Sequence, residues 1–358
     1  MIRGDTPLPD VPVHPGLRRF LTVMRGYRAL VADSPLTPRL CNPAPVRRTG
    51  FDLDLRIDVI TREAEDVVSL YLVAPDGAAL PRWRPGAHVD VVLPSGRQRQ
   101  YSLCGDPADP RGYRIAVRLI PDGDGGSQEI HQTLRAGQPL RVRGPRNAFR
   151  LVEATSYRFV AGGIGITPIL PMVGAAAANG VPWRLDYLGR TRGSMPFLAE
   201  LASLREGTVA IRPDDEFGPP DIARLLADVR PSNAVYVCGP PPMLDVARAL
   251  FDPTGDLREL HTERFSPPPV VGGTPFEAEL RRTGVTVEVG AEESVLAAVR
   301  REVPSVAYSC RQGFCGSCKT TVLAGRVEHR DSVLLDQERA DSMLICVSRG
   351  HDRLVLDL

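Results

Sequence analysis

Cys310-Arg311-Gln312-Gly313-Phe314-Cys315-Gly316-Ser317-Cys318 is followed, well downstream, by Cys346. C-x4-C-x2-C with a remote fourth cysteine is the spacing of a plant-type 2Fe-2S centre. Two irons bridged by two sulfides need four thiolates. Cys310, Cys315 and Cys318 would come from one tight loop, and Cys346 from a strand over Met343 to Ser348. Gly313 and Gly316 let that loop turn closely, with backbone N–H groups free to face the sulfurs. A zinc site or a disulfide would use the same residue type. Zinc usually takes two C-x2-C knuckles, and one is present. A disulfide scaffold suits a short secreted chain. The stretch predicts a small iron–sulfur domain, and everything upstream reads as the means of delivering electrons to it.

The chain has 358 residues and a formal net charge of +1. Such a length accommodates two or three domains, and so small a charge suggests neither nucleic acid nor an acidic membrane as partner. Beyond the four proposed ligands, Cys41, Cys104 and Cys238 are widely scattered. Unpaired cysteines beside an iron–sulfur loop favour a reducing, cytoplasmic setting. Met1 to Pro15 is polar and proline-rich, without the apolar segment of a signal peptide. No apolar run approaches the ~20 residues of a membrane span.

Residues 1–50 are expected as an extension of unknown role, with Leu17, Phe20, Leu21, Met24, Tyr27 and Leu30 at helical spacing. From Phe51 the pattern alternates, with Leu53, Leu55, Ile57 and Val59 on one face of a strand. Five more strand-like runs follow up to Val142, so residues 51–152 are expected as a small antiparallel β-barrel. Residues 153–266 then alternate strands with helices, the pattern of a parallel, doubly wound α/β sheet. Ser266 to Gly273 is Ser-Pro-Pro-Pro-Val-Val-Gly-Gly, a stiff linker ending in a glycine hinge, taken as 267–273. Residues 274–358 begin with a hairpin around Arg282-Thr283-Gly284 and a helix near Ser294 to Arg301.

Four motifs carry chemistry. Arg99-Gln100-Tyr101-Ser102 lies on a barrel strand, where an arginine can hold a phosphate bidentately. Gly125-Gly126-Ser127 precedes a helix and reads either as a phosphate seat or as a turn with a capping serine. Gly162-Gly163-Ile164-Gly165-Ile166-Thr167-Pro168 ends a strand and opens a helix, where backbone N–H groups suit a pyrophosphate. Cys238-Gly239-Pro240 ends what reads as the last strand of the parallel sheet, at the edge where such folds bind ligands.

In that order, with the C-terminal cysteine motif, His329-Arg330-Asp331 and Cys346-Val347-Ser348-Arg349, the chain resembles the phthalate dioxygenase reductase and vanillate demethylase reductase family from Phe51 to Leu358. The resemblance implies a flavin barrel, an NAD(P) domain and a β-grasp 2Fe-2S ferredoxin domain. Arg99 would bind the FMN phosphate, Tyr101 and Ser102 would contact the isoalloxazine, and Gly125, Gly126 and Ser127 would complete the phosphate site. Arg118 belongs to the same cofactor-binding set. Gly162, Gly163, Gly165, Thr167 and Pro168 would bind the dinucleotide, with Gly239 and Pro240. Cys238 would sit near the reacting nicotinamide carbon. Phe265, closing His261-Thr262-Glu263-Arg264-Phe265, would cover the flavin face. The chain closes on the ferredoxin stretch instead of the aromatic that stacks on FAD in plant-type reductases, so FMN is expected, with FAD as the alternative.

The implied activity is electron transfer from NAD(P)H through the flavin and the cluster to a terminal oxygenase, expected to be of the Rieske type. A haem-thiolate monooxygenase is the other acceptor considered, and a redox-sensing protein without turnover a reading of another class. For the coenzyme, Tyr187 to Pro196 contains no carboxylate but offers Arg190 and Arg192. A guanidinium suits the 2′-phosphate of NADPH, so the residues lean to NADPH, or to poor discrimination, where the family mostly uses NADH.

Overall fold

In the computed structural model the described residues are 51–358, apart from 124, 205–206, 231–232, 252–258, 267–268, 305, 309–310 and 314–315. They fall in one unit, Thr49–Leu358. The helical spacing over residues 17–30, Cys41, Cys310 and Cys315 lie outside the described residues.

The alternating segment forms β1 (Phe51–Ala64), β2 (Val67–Val73), β3 (Ala87–Val92), β4 (Gln98–Ser102), β5 (Gly112–Arg118), helix α1 (Gly126–Gln132) and β6 (Pro139–Asn147). The strands make one antiparallel sheet in the order β4-β3-β6-β1-β2-β5. A bridge between Leu103, just past β4, and Ile115 of β5 joins the two edges, as a barrel requires. Ile57, Leu70, Leu72, Val89, Val91, Ile115 and Val142 fill its interior. Each such side chain withdrawn from water stabilises the fold by roughly 1.5–3 kcal/mol. Val59 does not join them. A bulge between Ile57 and Val59 shifts the β1–β2 register, and Val59 is left 48% exposed.

β7 (Ser156–Gly162), α2 (Ile166–Ala178), β8 (Trp183–Gly189), α3 (Leu198–Ala202), β9 (Thr208–Pro213), α4 (Asp214–Phe217), α5 (Ile222–Leu226), β10 (Asn233–Cys238), α6 (Pro241–Leu250) and β11 (Glu259–Glu263) follow. The strands pair in parallel in the order β11-β10-β7-β8-β9. Cys238 therefore ends the penultimate strand, not the last. The edge strand β11, Glu-Leu-His-Thr-Glu, packs only partly and lacks the apolar run of a central strand. Helix α3 starts only at Leu198, because Pro196 is followed by Phe197 in a left-handed conformation (φ 65°). Beneath the sheet, Asp186 is fully buried against Arg158, Arg184 and Arg212 at 3.2, 3.1 and 3.5 Å.

The C-terminal part holds β12 (Phe276–Leu280), β13 (Val285–Val289), α7 (Val295–Glu302), β14 (Lys319–Ala324), β15 (Val327–Glu328), α8 (Asp336–Arg339), β16 (Ser342–Leu344), β17 (Arg349–Gly350) and β18 (Arg353–Leu356). Its main sheet runs β13-β12-β18-β14-β16, with β12 and β18 parallel. Ser294 caps α7 by accepting from Ala297 N, and the helix buries Val295, Leu296, Ala298 and Val299 against the sheet. Cys346 lies in the turn after β16, two residues past the strand's end at Leu344, and not in a strand reaching Ser348 as expected.

The expected glycine hinge is pinned. Arg349 is 1% exposed and donates to the carbonyls of Thr274 and Gly290, each at 2.9 Å, and of Glu293. A Cβ at Gly273 would fall 2.1 Å from the Ala291 carbonyl oxygen. Arg330 holds the Val271 carbonyl at 2.8 Å.

Candidate functional site

Strand β4 leads into a cavity of about 230 Å³. Arg99, Tyr101 and Ser102 line it from β4, Arg118 from the end of β5, and Ser127 from α1. Gly126 is needed for this: a Cβ there would fall 2.4 Å from Arg99 Nε, so glycine lets the guanidinium lie over the start of α1. Gly125 enters the helix with φ 82°, a conformation that favours glycine. The Ser127 hydroxyl accepts from Ile120 N at 3.0 Å, so it braces the turn as well as facing the cavity.

Two cavity residues escaped the sequence reading. His88 stands opposite Ser102 in the β3–β4 ladder and is 2% exposed. Neither of its ring nitrogens has a partner among the described residues. Burial, helped by the Arg146 charge, lowers its pKa to about 3, so the imidazole is neutral. A buried polar group without a partner costs about 1–3 kcal/mol, and this ring is placed to bond a ligand in the cavity. A lone histidine in a strand gives no such signal.

The other is Glu263, at the end of β11 and in register with Cys238. Its carboxyl is 3.4 Å from the Ser102 hydroxyl, which donates to it. Desolvation raises its pKa to about 8, against the opposing effect of that bond. It is therefore protonated at neutral pH. The signal was within reach, since the glutamate stands in the His261–Phe265 stretch singled out for its phenylalanine.

A second cavity, of about 590 Å³, opens where the parallel sheet changes direction. β7 leads through α2 to one side and β10 lies on the other, which makes a topological switch point. Two loops touch there backbone to backbone. A Cβ at Gly165 would fall 2.2 Å from the Cys238 carbonyl oxygen, and one at Gly162 would fall 2.8 Å from Pro240 Cδ. Gly163, with φ 53°, is fixed by the buried Tyr187 hydroxyl, which lies 3.3 Å from its carbonyl. Gly162, Gly163, Gly165, Gly239 and Pro240 all line the cavity. Thr167 faces the first cavity instead, its hydroxyl donating to the Ile164 carbonyl at 3.0 Å. Pro168 is buried within α2. Cys238 is fully buried, and burial pushes its thiol well above the usual range, so it is neutral.

Arg190 lines this second cavity, as does Asp214 at the start of α4. Arg192 does not stand free: its guanidinium meets the Glu216 carboxylate at 2.5 and 2.9 Å. Glu216 holds the Arg192 pKa above its ordinary value and is itself lowered by the same pairing. Phe265 and Arg118 line both cavities and so mark their boundary.

Of the four expected cluster ligands, Cys318 and Cys346 are described. Both are buried, 3% and 6% exposed, and lie in one core. The β14–β16 ladder brings them together, with Ile345 N donating to the Cys318 carbonyl at 3.4 Å. Gly313 (φ 79°) and Gly316 (φ 75°) make the left-handed bends foreseen for the loop. A Cβ at Gly313 would fall 2.7 Å from Val347 Cγ2, so the loop folds onto the Cys346 segment. Asp331 steadies its flank, accepting from Leu334 N at 2.9 Å and Val333 N at 3.3 Å. These features fit a cluster held by thiolates. Arg311 and Gln312 of the same loop line the first cavity, opposite β4.

Residues 278–349 match the family described as 2Fe-2S iron-sulfur cluster binding domain. The toluene-4-sulfonate monooxygenase system reductase subunit of Comamonas testosteroni is 40% identical over 86% of this chain and 99% of its own length. The solved structure of phthalate dioxygenase reductase, described as modular for electron transfer from pyridine nucleotides to [2Fe-2S], has a TM-score of 0.65 and 36% identity, covering 86% of this chain and 98% of that one. An intact type IV self-sufficient cytochrome P450 monooxygenase gives a TM-score of 0.66 at 37% identity over 91% of this chain, which spans 45% of that longer protein.

Proposed function

The chain belongs to the phthalate dioxygenase reductase family, and from that premise we propose that it moves electrons from a nicotinamide coenzyme, through flavin and a 2Fe-2S cluster, to a separate oxygenase. One observation carries the reading: the first cavity touches the second at Phe265 and Arg118 and touches the cysteine loop at Arg311 and Gln312. Donor, flavin and cluster would thus meet around one small space. The flavin, when bound, accepts a hydride and gives up its two electrons singly, as a one-electron cluster demands.

The chain's own residues bind and orient. Arg99 takes the FMN phosphate, with Gly126 leaving room for its guanidinium, and Ser127 is at hand. Tyr101 and Ser102 contact the ring, and His88 supplies a neutral imidazole to it. Gly162, Gly163 and Gly165, at the mouth of α2, receive the coenzyme pyrophosphate. Phe265, at the boundary of the two cavities, would cover the flavin face. Glu263 and Ser102 hold a proton beside the reacting centre, and Cys238 keeps its neutral thiol in the layer behind. Cys310, Cys315, Cys318 and Cys346 hold the irons.

With Arg192 occupied by Glu216 and Asp214 facing the cavity, the carboxylate that reads the ribose comes from the end of β9. NADH is the preferred coenzyme on this reading, against the leaning of the sequence. The acceptor is a terminal oxygenase of the Rieske type, a separate protein as for the reductase-subunit relative, 99% of whose length this chain matches. The P450 likeness supports a haem-thiolate acceptor as the second reading. The compartment is the cytoplasm: Cys104 and Cys238 are buried free thiols. No described helix is long and apolar enough to cross a membrane. NADH-driven reduction of cytochrome c by the purified protein tests the proposal. Loss of that activity in Cys346→Ser, with ferricyanide reduction retained, is the expected result.

A further inference from the structure

Gln98, the first residue of β4, and Tyr308 bind each other twice. The Tyr308 hydroxyl donates to the Gln98 carbonyl at 2.9 Å, and the Gln98 side-chain amide donates to the Tyr308 carbonyl at 3.1 Å. The same amide also donates to Asp90 at 2.8 Å, which fixes its orientation. Two antiparallel bonds between two residues define a position and an angle, where one bond would define neither.

Both partners are rigidly mounted. Tyr308 is 6% exposed within the core of the C-terminal part, and the Arg300 guanidinium lies 4.6 Å over its ring. Gln98 immediately precedes Arg99, and Tyr308 stands two residues before Cys310. Beyond Cys310, Gln312 donates to the carbonyl of Arg264, just ahead of Phe265. Between these anchors Arg311 adopts φ 55°. A non-glycine residue in that conformation persists only where its surroundings impose it. The pinned linker beyond Val271 leaves these anchors, and not the hinge, to set the angle of approach.

We infer that Gln98 and Tyr308 form a positioning pair that seats the cysteine loop against the flavin cavity and thereby sets the rate at which the cluster is reduced. The inference rests on the electron-carrier reading above. Neither residue exchanges electrons. Their part is to fix a separation, and displacements of about 1 Å at a reacting site can cost up to 100-fold in rate.

Rapid mixing with NADH under anaerobic conditions separates flavin bleaching from loss of cluster absorbance, so the first phase serves as an internal reference for the second. Tyr308→Phe removes one donor and keeps the ring; Gln98→Ala removes the other. In each, the ratio of cluster rate to flavin rate should fall about tenfold, with iron and flavin content as in the parent. Trypsin cleavage after Arg264 should accelerate severalfold in both, because the seated loop shields that segment. Gln98→Glu, which keeps an acceptor but loses the donor, should resemble Gln98→Ala. Unchanged rate ratios and unchanged cleavage in Tyr308→Phe and Gln98→Ala would overturn the inference. A parent protein that bleaches its flavin but never reduces a cluster would overturn the carrier reading, and the inference with it.

Discussion

Arg192 and Glu216 face each other from the turns that follow neighbouring strands β8 and β9, guanidinium to carboxylate at 2.5 and 2.9 Å. Of the two arginines that looked available in the sequence, Arg192 is already paired. Asp214, two positions earlier on the same short helix as Glu216, lines the coenzyme cavity together with Arg190. NADH should therefore be used with a lower KM than NADPH. Arg192→Asp should leave the ratio of the two KM values within about twofold. Asp214→Ala should raise KM for NADH by about tenfold or more, the loss of roughly one hydrogen bond to a charged group. Steady-state kinetics with both coenzymes check this.

Glu263 makes a pH prediction. Its pKa in the folded protein is raised from 4.5 to about 8. The unfolded chain ionises near 4.5 while the folded one keeps its proton, so this group erodes stability as pH rises from about 4.5 to 8. As pH rises through about 8, the carboxyl loses its proton and places a negative charge beside the flavin. Flavin reduction by NADH should slow over that window, and Glu263→Gln should flatten the profile. Rapid-mixing rates between about pH 6 and 9.5, spanning the titration, would show it.

His88 predicts flavin affinity. His88→Phe fills the space without a ring nitrogen and should weaken flavin binding by about tenfold, the cost of one buried hydrogen bond. Arg99→Ala should weaken it further, since a charge-assisted phosphate contact is stronger. Fluorescence titration of the flavin-free protein measures both.

Asp186 predicts stability. It is the carboxylate that holds Arg158, itself 8% exposed, beneath the parallel sheet. Asp186→Ala should destabilise the protein by about 3 kcal/mol, because removing one partner of a buried ion pair strands the other charge. Asp228, 3.2 Å from the same guanidinium, softens the loss. Denaturant unfolding followed by far-UV circular dichroism checks it.

Most of the architecture was legible because it rests on local pattern. The period of two before Val142, the alternation of strands with helices from residue 153 and the cysteine spacing each reflect one face, one helix or one loop. Val59 was misread because a bulge resets the alternation, and a bulge leaves no mark in hydrophobicity. β11 was missed because an edge strand needs no apolar run. Residues in contiguous motifs, such as Arg99 to Ser102 and Gly162 to Gly165, stood out in the sequence. His88, Asp214 and Glu216 did not, since each acquires its meaning from a partner on another strand. The pairing of Gln98 with Tyr308, residues from opposite ends of the fold, is of the same kind.

Electron flow within one chain, from the coenzyme through flavin to a 2Fe-2S cluster, can be counted. Anaerobic titration with NADH, followed by visible absorbance and electron paramagnetic resonance, tests it most directly. Two electrons for the flavin and one for the cluster require about 1.5 equivalents of NADH for full reduction. That endpoint is expected, with the signal of a reduced 2Fe-2S centre in the parent and about one equivalent without that signal in Cys346→Ser. Full reduction of the parent at about one equivalent, with no cluster signal, would contradict it.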